Sequence, residues 1–204
     1  MQTTSLSTPL QQQVDAALAA WPTWNLQDIH TRAELISAWV ELLVQEDTLG
    51  TLAGEMAKFQ KQQALALLEE TKVMPGPTGE VNELYSAGRG VFVVTMADIS
   101  LTKTPSAISA LVAHVSAALM AGNSILVALP DSESERQSKL VSSLHQAGFA
   151  EHIVQACDYA QLEALIATPQ IAGVAYTGDV AMAQKLNAIL SARKGLLAQF
   201  VTEL

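Results

Sequence analysis

The stretch IAGVAYTGDVAMAQKL, residues 171–186, runs from a small apolar strand through a Thr-Gly turn into an amphipathic helix. In αβ proteins such a turn is a common seat for a dinucleotide phosphate, because the helix amino-terminus offers unpaired N–H groups and the positive end of its dipole. The same alternation extends upstream. GVFVVTM (90–96) precedes a helix over about Pro105–Ala121, SILVALP (124–130) one over about Ser132–Gln146, and HIVQA (152–156) one around Tyr159–Ala167. A helix over about Asp179–Ala192 then leads to a final strand near LLAQFVT (196–202). Continuously apolar strands alternating with amphipathic helices predict a doubly wound, mostly parallel α/β sheet covered on both faces. Ligands of such sheets lie at the carboxyl ends of the strands, so the turns after Thr95, Leu129, Ala156 and Thr177 are the ones to examine.

The first 75 residues read differently. Val14, Leu18 and Trp21 share one helical face, which Pro22 is expected to end, and Ile29, Leu35, Trp39, Leu42 and Val44 recur at helical spacing. A third helix is expected over about Asp47–Glu70, with Leu52, Met56, Phe59, Leu65 and Leu68 as its apolar stripe and Gly50 and Gly54 weakening its start. The three tryptophans fit either a binding surface or buried helix packing, and base rates favour burial. MPGPTGE (74–80) then supplies a linker, and Val81–Ser86 alternates like an exposed strand. The expected organisation is a helical segment (1–75), a linker and hairpin strand (76–89) and an α/β core (90–204), all in one structural domain.

The chain has 204 residues, enough to bury roughly 70% of its unfolded surface. Its net charge of −9, with only eleven Lys and Arg spread along it, argues against nucleic acid. The single cysteine, Cys157, excludes an intrachain disulfide and a multi-cysteine metal site, and suits a reducing, cytoplasmic setting. No stretch has the roughly 18 uninterrupted apolar residues of a membrane helix. MQTTSLSTPLQQQ (1–13) has no basic region followed by an apolar run, so it is not expected to act as a secretory signal.

GPTGEVNELYSAGRGVFVV (76–94), ALMAGNSILVALP (118–130) and IAGVAYTGDVAMAQKLNAILSAR (171–193) together resemble the amino-terminal half of an aldehyde dehydrogenase. The resemblance is strongest to the Δ1-pyrroline-5-carboxylate dehydrogenase modules of bifunctional proline utilization A flavoenzymes, and to the C-terminal aldehyde-dehydrogenase-like domain of their longer members. It implies a Rossmann-like fold, an oligomerisation hairpin around residues 76–88, and NAD as the cofactor of the parent family. In that family the first sheet strand leads into Pro-Trp-Asn-Phe-Pro, whose Asn donates to the developing oxyanion. Here Met96-Ala97-Asp98-Ile99-Ser100 stands in that place, and an ionised Asp only accepts. A donor of that kind contributes a few kcal/mol to transition-state stabilisation. The family's Lys-Pro pair, which holds the adenosine ribose, is replaced by Ala128-Leu129-Pro130. Its Phe-Thr-Gly-Ser turn is replaced by Tyr176-Thr177-Gly178-Asp179.

Asp179 caps a helix as well as Ser does. Placed against a diphosphate, however, it adds a like-charge repulsion on the order of 4 kcal/mol at about 4 Å with an effective dielectric near 20. The turn Thr177, Gly178, Asp179 is therefore expected to be vestigial, with no cofactor bound by this chain. Cys157 lacks the Gly-Gln-x-Cys setting of the family's nucleophile and reads as a small core residue. Glu203 falls near the family's general base, without the glycines that follow it there. His114 lies in an apolar helix, while His30, His145 and His152 offer no metal-ligand spacing, so no metal site is expected. Asp131, Glu133 and Glu135 read as a solvated helix start.

No catalytic residue is expected in the chain. The resemblance implies a structural partner of a catalytic dehydrogenase module, in the same or a longer chain, with Val81–Ser86 and the leading helices as contact segments. An active dehydrogenase's NAD-binding fragment is the competing expectation, and a homodimer or adaptor a third.

Overall fold

The apolar segments of the sequence become the middle of one sheet. The computed structural model describes residues 6–45, 49, 51–98 and 105–204. In chain order the elements are α1 (Thr8–Asn25), α2 (Ile29–Val44), α3 (Thr51–Leu68), β1 (Lys72–Met74), β2 (Asn82–Leu84), β3 (Val91–Met96), α4 (Pro105–Met120), β4 (Ser124–Ala128), α5 (Ser134–Gln146), β5 (Val154–Ala156), α6 (Leu162–Ile166), β6 (Ile171–Thr177), α7 (Val180–Ser191) and β7 (Gln199–Glu203). Five strands form a parallel sheet in the order β5-β4-β3-β6-β7. This is the doubly wound, Rossmann-like α/β architecture expected from the sequence.

Period-two alternation sends the strand side chains to two cores. Val91, Val93, Leu126, Ala128, Val174 and Tyr176 pack against Leu10, Val14 and Ala17 of α1 and against α6 and α7. Phe92, Val94, Met96, Ile125, Val127 and Ala175 pack against α4 and α5. Helix α4 is apolar on nearly every side, and a helix of that kind has to be covered on its outer face as well. Helices α2 and α3 provide the cover through Trp39, Leu43, Ala53 and Ala57.

Three details differ from the sequence reading. Pro22 does not end α1; it sits inside the helix, which runs one more turn to Asn25. The lost N–H bond is offset by anchors around it: Trp21 and Trp24 donate their indole N–H to the carbonyls of Gly122 and Asn123 at 3.1 Å each. Val44, Leu52 and Phe59 are 61%, 53% and 50% exposed rather than core. Small residues such as Ala53 and Ala57 form the close contact instead, turning the bulky stripe of α3 sideways. The expected start of the third helix at Asp47, and Gly50 with it, lie outside the described residues. All three tryptophans take a packing role, since the Trp39 indole also finds a partner, Ser143 Oγ at 2.9 Å.

Strands β1 and β2 form a separate antiparallel hairpin, fully exposed, carrying Val73, Met74, Val81, Leu84 and Tyr85 into solvent. Its return to the sheet is fixed by side chains that bond backbone. Asn25 Oδ1 accepts from Gly88 N at 2.6 Å, and Asn123 Oδ1 accepts from Arg89 N at 2.6 Å and Gly90 N at 3.2 Å. A Cβ on Gly88 would lie 2.3 Å from the Gly122 carbonyl oxygen, so only glycine permits this approach. Gly88→Ala should therefore destabilise the fold by about 1–3 kcal/mol or more in urea unfolding. Gly79→Ala, whose Cβ meets nothing within 4 Å, should cost only the backbone strain of its positive φ, about 1–2 kcal/mol.

Candidate functional site

The strand ends converge where a doubly wound sheet places its ligand, and each turn there can be read atom by atom. After β6, Gly178 has a φ of +154° and Asp179 takes the N-cap position of α7. The Asp179 carboxylate accepts from Met182 N at 2.9 Å and draws on the Ala181 amide as well. From the strand below, the buried Tyr176 hydroxyl donates to Asp179 Oδ2 at 3.2 Å and accepts from Asp179 N at 3.1 Å. A Cβ on Gly178 would stand 2.3 Å from that hydroxyl. Tyrosine and aspartate thus form one unit over the helix tip, and glycine makes room for it.

These bonds hold the Asp179 carboxyl below its ordinary value, the Met182 amide being the main cause. The Tyr176 phenol is pushed up to about 12, first by burial and then by the Asp179 charge. The neighbouring Tyr159 phenol is raised by burial; Lys185 opposes the rise while Asp98, Glu163 and Asp179 add to it. Asp98, Glu163 and Asp179 therefore all act on this phenol at the carboxyl end of the sheet. Lys185, the cation that opposes them, already pairs with Glu163 at 2.5 Å.

The turns after β4 and β5 are filled by protein. Leu129 is buried, and its N–H donates to Gln137 Oε1 at 2.6 Å while Gln137 Nε2 donates to the Cys157 carbonyl at 3.2 Å. One glutamine thus clasps the ends of β4 and β5 together. Cys157 lies in the core beside Val127, and burial raises its thiol to about 12. Asp98, after β3, is exposed and engaged in the electrostatics just described; Ile99 and Ser100 lie outside the described residues. Thr177 is buried and its Oγ1 has no partner among the described residues. Glu203 pairs in register with Thr177, and its carbonyl accepts from Gly178 N at 3.0 Å.

Among the remaining candidates, His145 Nε2 bonds the Val154 carbonyl at 2.8 Å and His30 meets Glu69 at 3.1 Å on the surface. No cluster of three metal-binding side chains occurs among the described residues. The acidic helix start is not uniformly solvated: Glu133 is 3% exposed and pairs with Arg136 one turn on, where burial would otherwise leave its charge uncompensated. Gln137 and the Tyr176 hydroxyl were missed from sequence. Gln137 carries no local signal, whereas Tyr176 could have been found as a Phe-to-Tyr exchange that accompanies the Ser-to-Asp exchange three residues later.

With this geometry in view, comparison with solved structures places the chain in a class: it has the α/β fold of the aldehyde dehydrogenase superfamily. More particularly, it is similar over 97% of its length to proline utilization A of Bradyrhizobium japonicum, at 29% identity and a TM-score of 0.82. Proline utilization A of Bdellovibrio bacteriovorus superposes over 98% of the chain at 16% identity and a TM-score of 0.83. An NAD-dependent benzaldehyde dehydrogenase from Corynebacterium glutamicum superposes over 96% at 16% identity and a TM-score of 0.75. The chain spans 22%, 23% and 46% of those three chains, respectively. No protein-family model and no curated protein matches the sequence. No helix among the described residues is long and apolar enough to cross a membrane.

Two measurements check this site. Asp179→Ala should cost about 1 kcal/mol at neutral pH, the usual loss of a helix cap. Because the folded carboxyl sits below its unfolded value, that difference is present above the unfolded value near 3.9 and vanishes as pH falls through the folded one, as urea titrations of both proteins should show. With its thiol near 12, only about one Cys157 in ten thousand is thiolate at pH 8, so a disulfide reagent should label it only after unfolding.

Proposed function

We propose that this chain is a non-catalytic, aldehyde-dehydrogenase-like domain of a proline-catabolic Δ1-pyrroline-5-carboxylate dehydrogenase protein, which acts by packing on the catalytic dehydrogenase module. The observation that carries the reading is the Tyr176–Asp179 pair. A carboxylate already occupies the amides that a diphosphate needs, and Asp98 and Glu163 make the surroundings more negative. On this reading Thr177, Gly178 and Asp179 are a vestigial turn, the chain holds neither NAD nor a metal, and it contributes no catalytic residue. Its helical segment (1–75), hairpin stretch (76–89) and α/β core (90–204) act as one unit.

Support for a packing role comes from the surface. The hairpin presents Val73, Met74, Val81, Leu84 and Tyr85 to solvent, and Leu196 and Leu197 stand 88% exposed before β7. Apolar groups grouped in this way favour burial against a second surface. That surface is the dehydrogenase module; a second copy of the chain would compete for the same groups. Sedimentation of the chain mixed with the catalytic aldehyde dehydrogenase module of a proline utilization A protein tests this. A stoichiometric complex that weakens when Val81 and Leu84 become Ser is expected. Independent sedimentation at tens of micromolar would contradict it.

One observation favours the alternative, an NAD-binding fragment of an active dehydrogenase. The buried Thr177 hydroxyl, without a partner among the described residues, is a group that a bound ligand would satisfy.

A further inference from the structure

The two edges of the five-stranded sheet are finished differently. An edge strand turns every second N–H and C=O away from its neighbour, and native edges cover such groups or guard them against pairing with another chain. On β5, Ile153 O accepts from Ile125 N and Cys157 N donates to Val127 O, so Val154 and Ala156 are the residues whose backbone groups point outward. Side chains take both outward carbonyls: His145 Nε2 bonds Val154 O at 2.8 Å, and Gln13 Nε2 donates to Ala156 O at 2.9 Å. The Val154 N–H turns back to the Ala150 carbonyl at 3.4 Å. This edge is closed by the protein itself.

The edge at β7 is not. Gly178 N donates to the Glu203 carbonyl at 3.0 Å, which sets the phase of the strand. In a parallel pair one residue bonds its neighbour through both backbone groups and the next turns both away, so Val201 bonds β6 while Phe200 and Thr202 present N–H and C=O outward. None of these outward groups has a partner among the described residues. The usual safeguards are missing as well: QFVTE (199–203) has no Pro, no Lys and no bulge, and its only charge, Glu203, lies at the last position. Both cores stay half-open here, since Phe200 is only partly buried on the α7 side and Val201 only partly on the α4 side. Just before the strand, Leu196 and Leu197 are exposed, as is Lys194, and the exposed Arg89 donates from Nη2 to the Leu197 carbonyl at 3.3 Å.

We propose that β7 is a strand-addition site, where an extended segment of the catalytic dehydrogenase module pairs with Phe200 and Thr202 as a sixth strand of this sheet. The inference rests on the packing role proposed above and names how that packing is made. Successive side chains of the added strand fall on opposite faces, so it is apolar on both, beside Phe200 on one and Val201 on the other. An acidic residue near its end meets Arg89 and Lys194. Backbone bonds supply the affinity, and the half-open cores supply the selectivity.

The test is hydrogen exchange, read residue by residue, on the full chain alone and mixed with the catalytic aldehyde dehydrogenase module of a proline utilization A protein. In the complex the amides of Phe200 and Thr202 should slow by about tenfold or more, while that of Val201, already bonded to β6, serves as the internal reference. Thr202→Pro removes only an outward N–H and sets a ring in the path of the added strand, a change that strand edges tolerate. Its melting temperature should therefore hold while binding of the module falls about tenfold or more. If that variant unfolds, exchange in the unmodified chain decides. A complex in which Phe200 and Thr202 exchange as fast as in the free chain overturns strand addition and leaves the packing role standing, whereas no complex at all overturns both. Protection that grows with the concentration of the chain alone assigns the edge to a second copy, which also overturns the proposal.

Discussion

Everything in this fold follows from the burial of β3 on both faces and both edges. Each of its residues from Val91 to Met96 is buried, with β4 on one side and β6 on the other. Such a strand has no solvent face, so helices are required above and below it, and parallel neighbours require crossovers long enough to contain them. The side chains divide between two cores by simple alternation, and α4, apolar all round, draws α2 and α3 in as a second layer. Asn25, accepting from Gly88 N, and Asn123, accepting from Arg89 N and Gly90 N, fix one end of the sheet. The other end, where strands become helices, is left to bind something.

At that other end the protein binds itself. The Asp179 carboxylate takes the N–H groups of the α7 tip, the Tyr176 hydroxyl steadies it from below, and Gln137 closes the gap between β4 and β5. These contacts keep the shape of a nucleotide fold without an external anion. The fold and the site then become separable: the sheet needs its helix tips capped, yet is indifferent to whether a side chain or a phosphate caps them.

Much of this was legible in the sequence. The continuous apolar runs at 91–96, 124–128 and 171–177 read directly as buried parallel strands, because burial on both faces leaves no room for polar alternation. The Asp179 cap was legible for a local reason, since a cap and its helix are neighbours in sequence. The errors share a different cause. Pro22 was expected to stop a helix that long-range indole bonds to Gly122 and Asn123 carry onward, and Glu133 was read as solvated although Arg136 folds over it in the interior. Val44 and Phe59 looked like core by periodicity, and only the packing of Ala53 and Ala57 reveals which face turns inward. Gln137 acts through two strand ends that sequence does not bring together.

Isothermal titration of the unmodified chain with NAD tests the central claim most directly: that an internal carboxylate has replaced a ligand phosphate. The predicted result is no saturable heat up to millimolar NAD, with binding emerging only when Asp179 becomes Ser and Tyr176 becomes Phe together. Micromolar binding by the unmodified chain would contradict it.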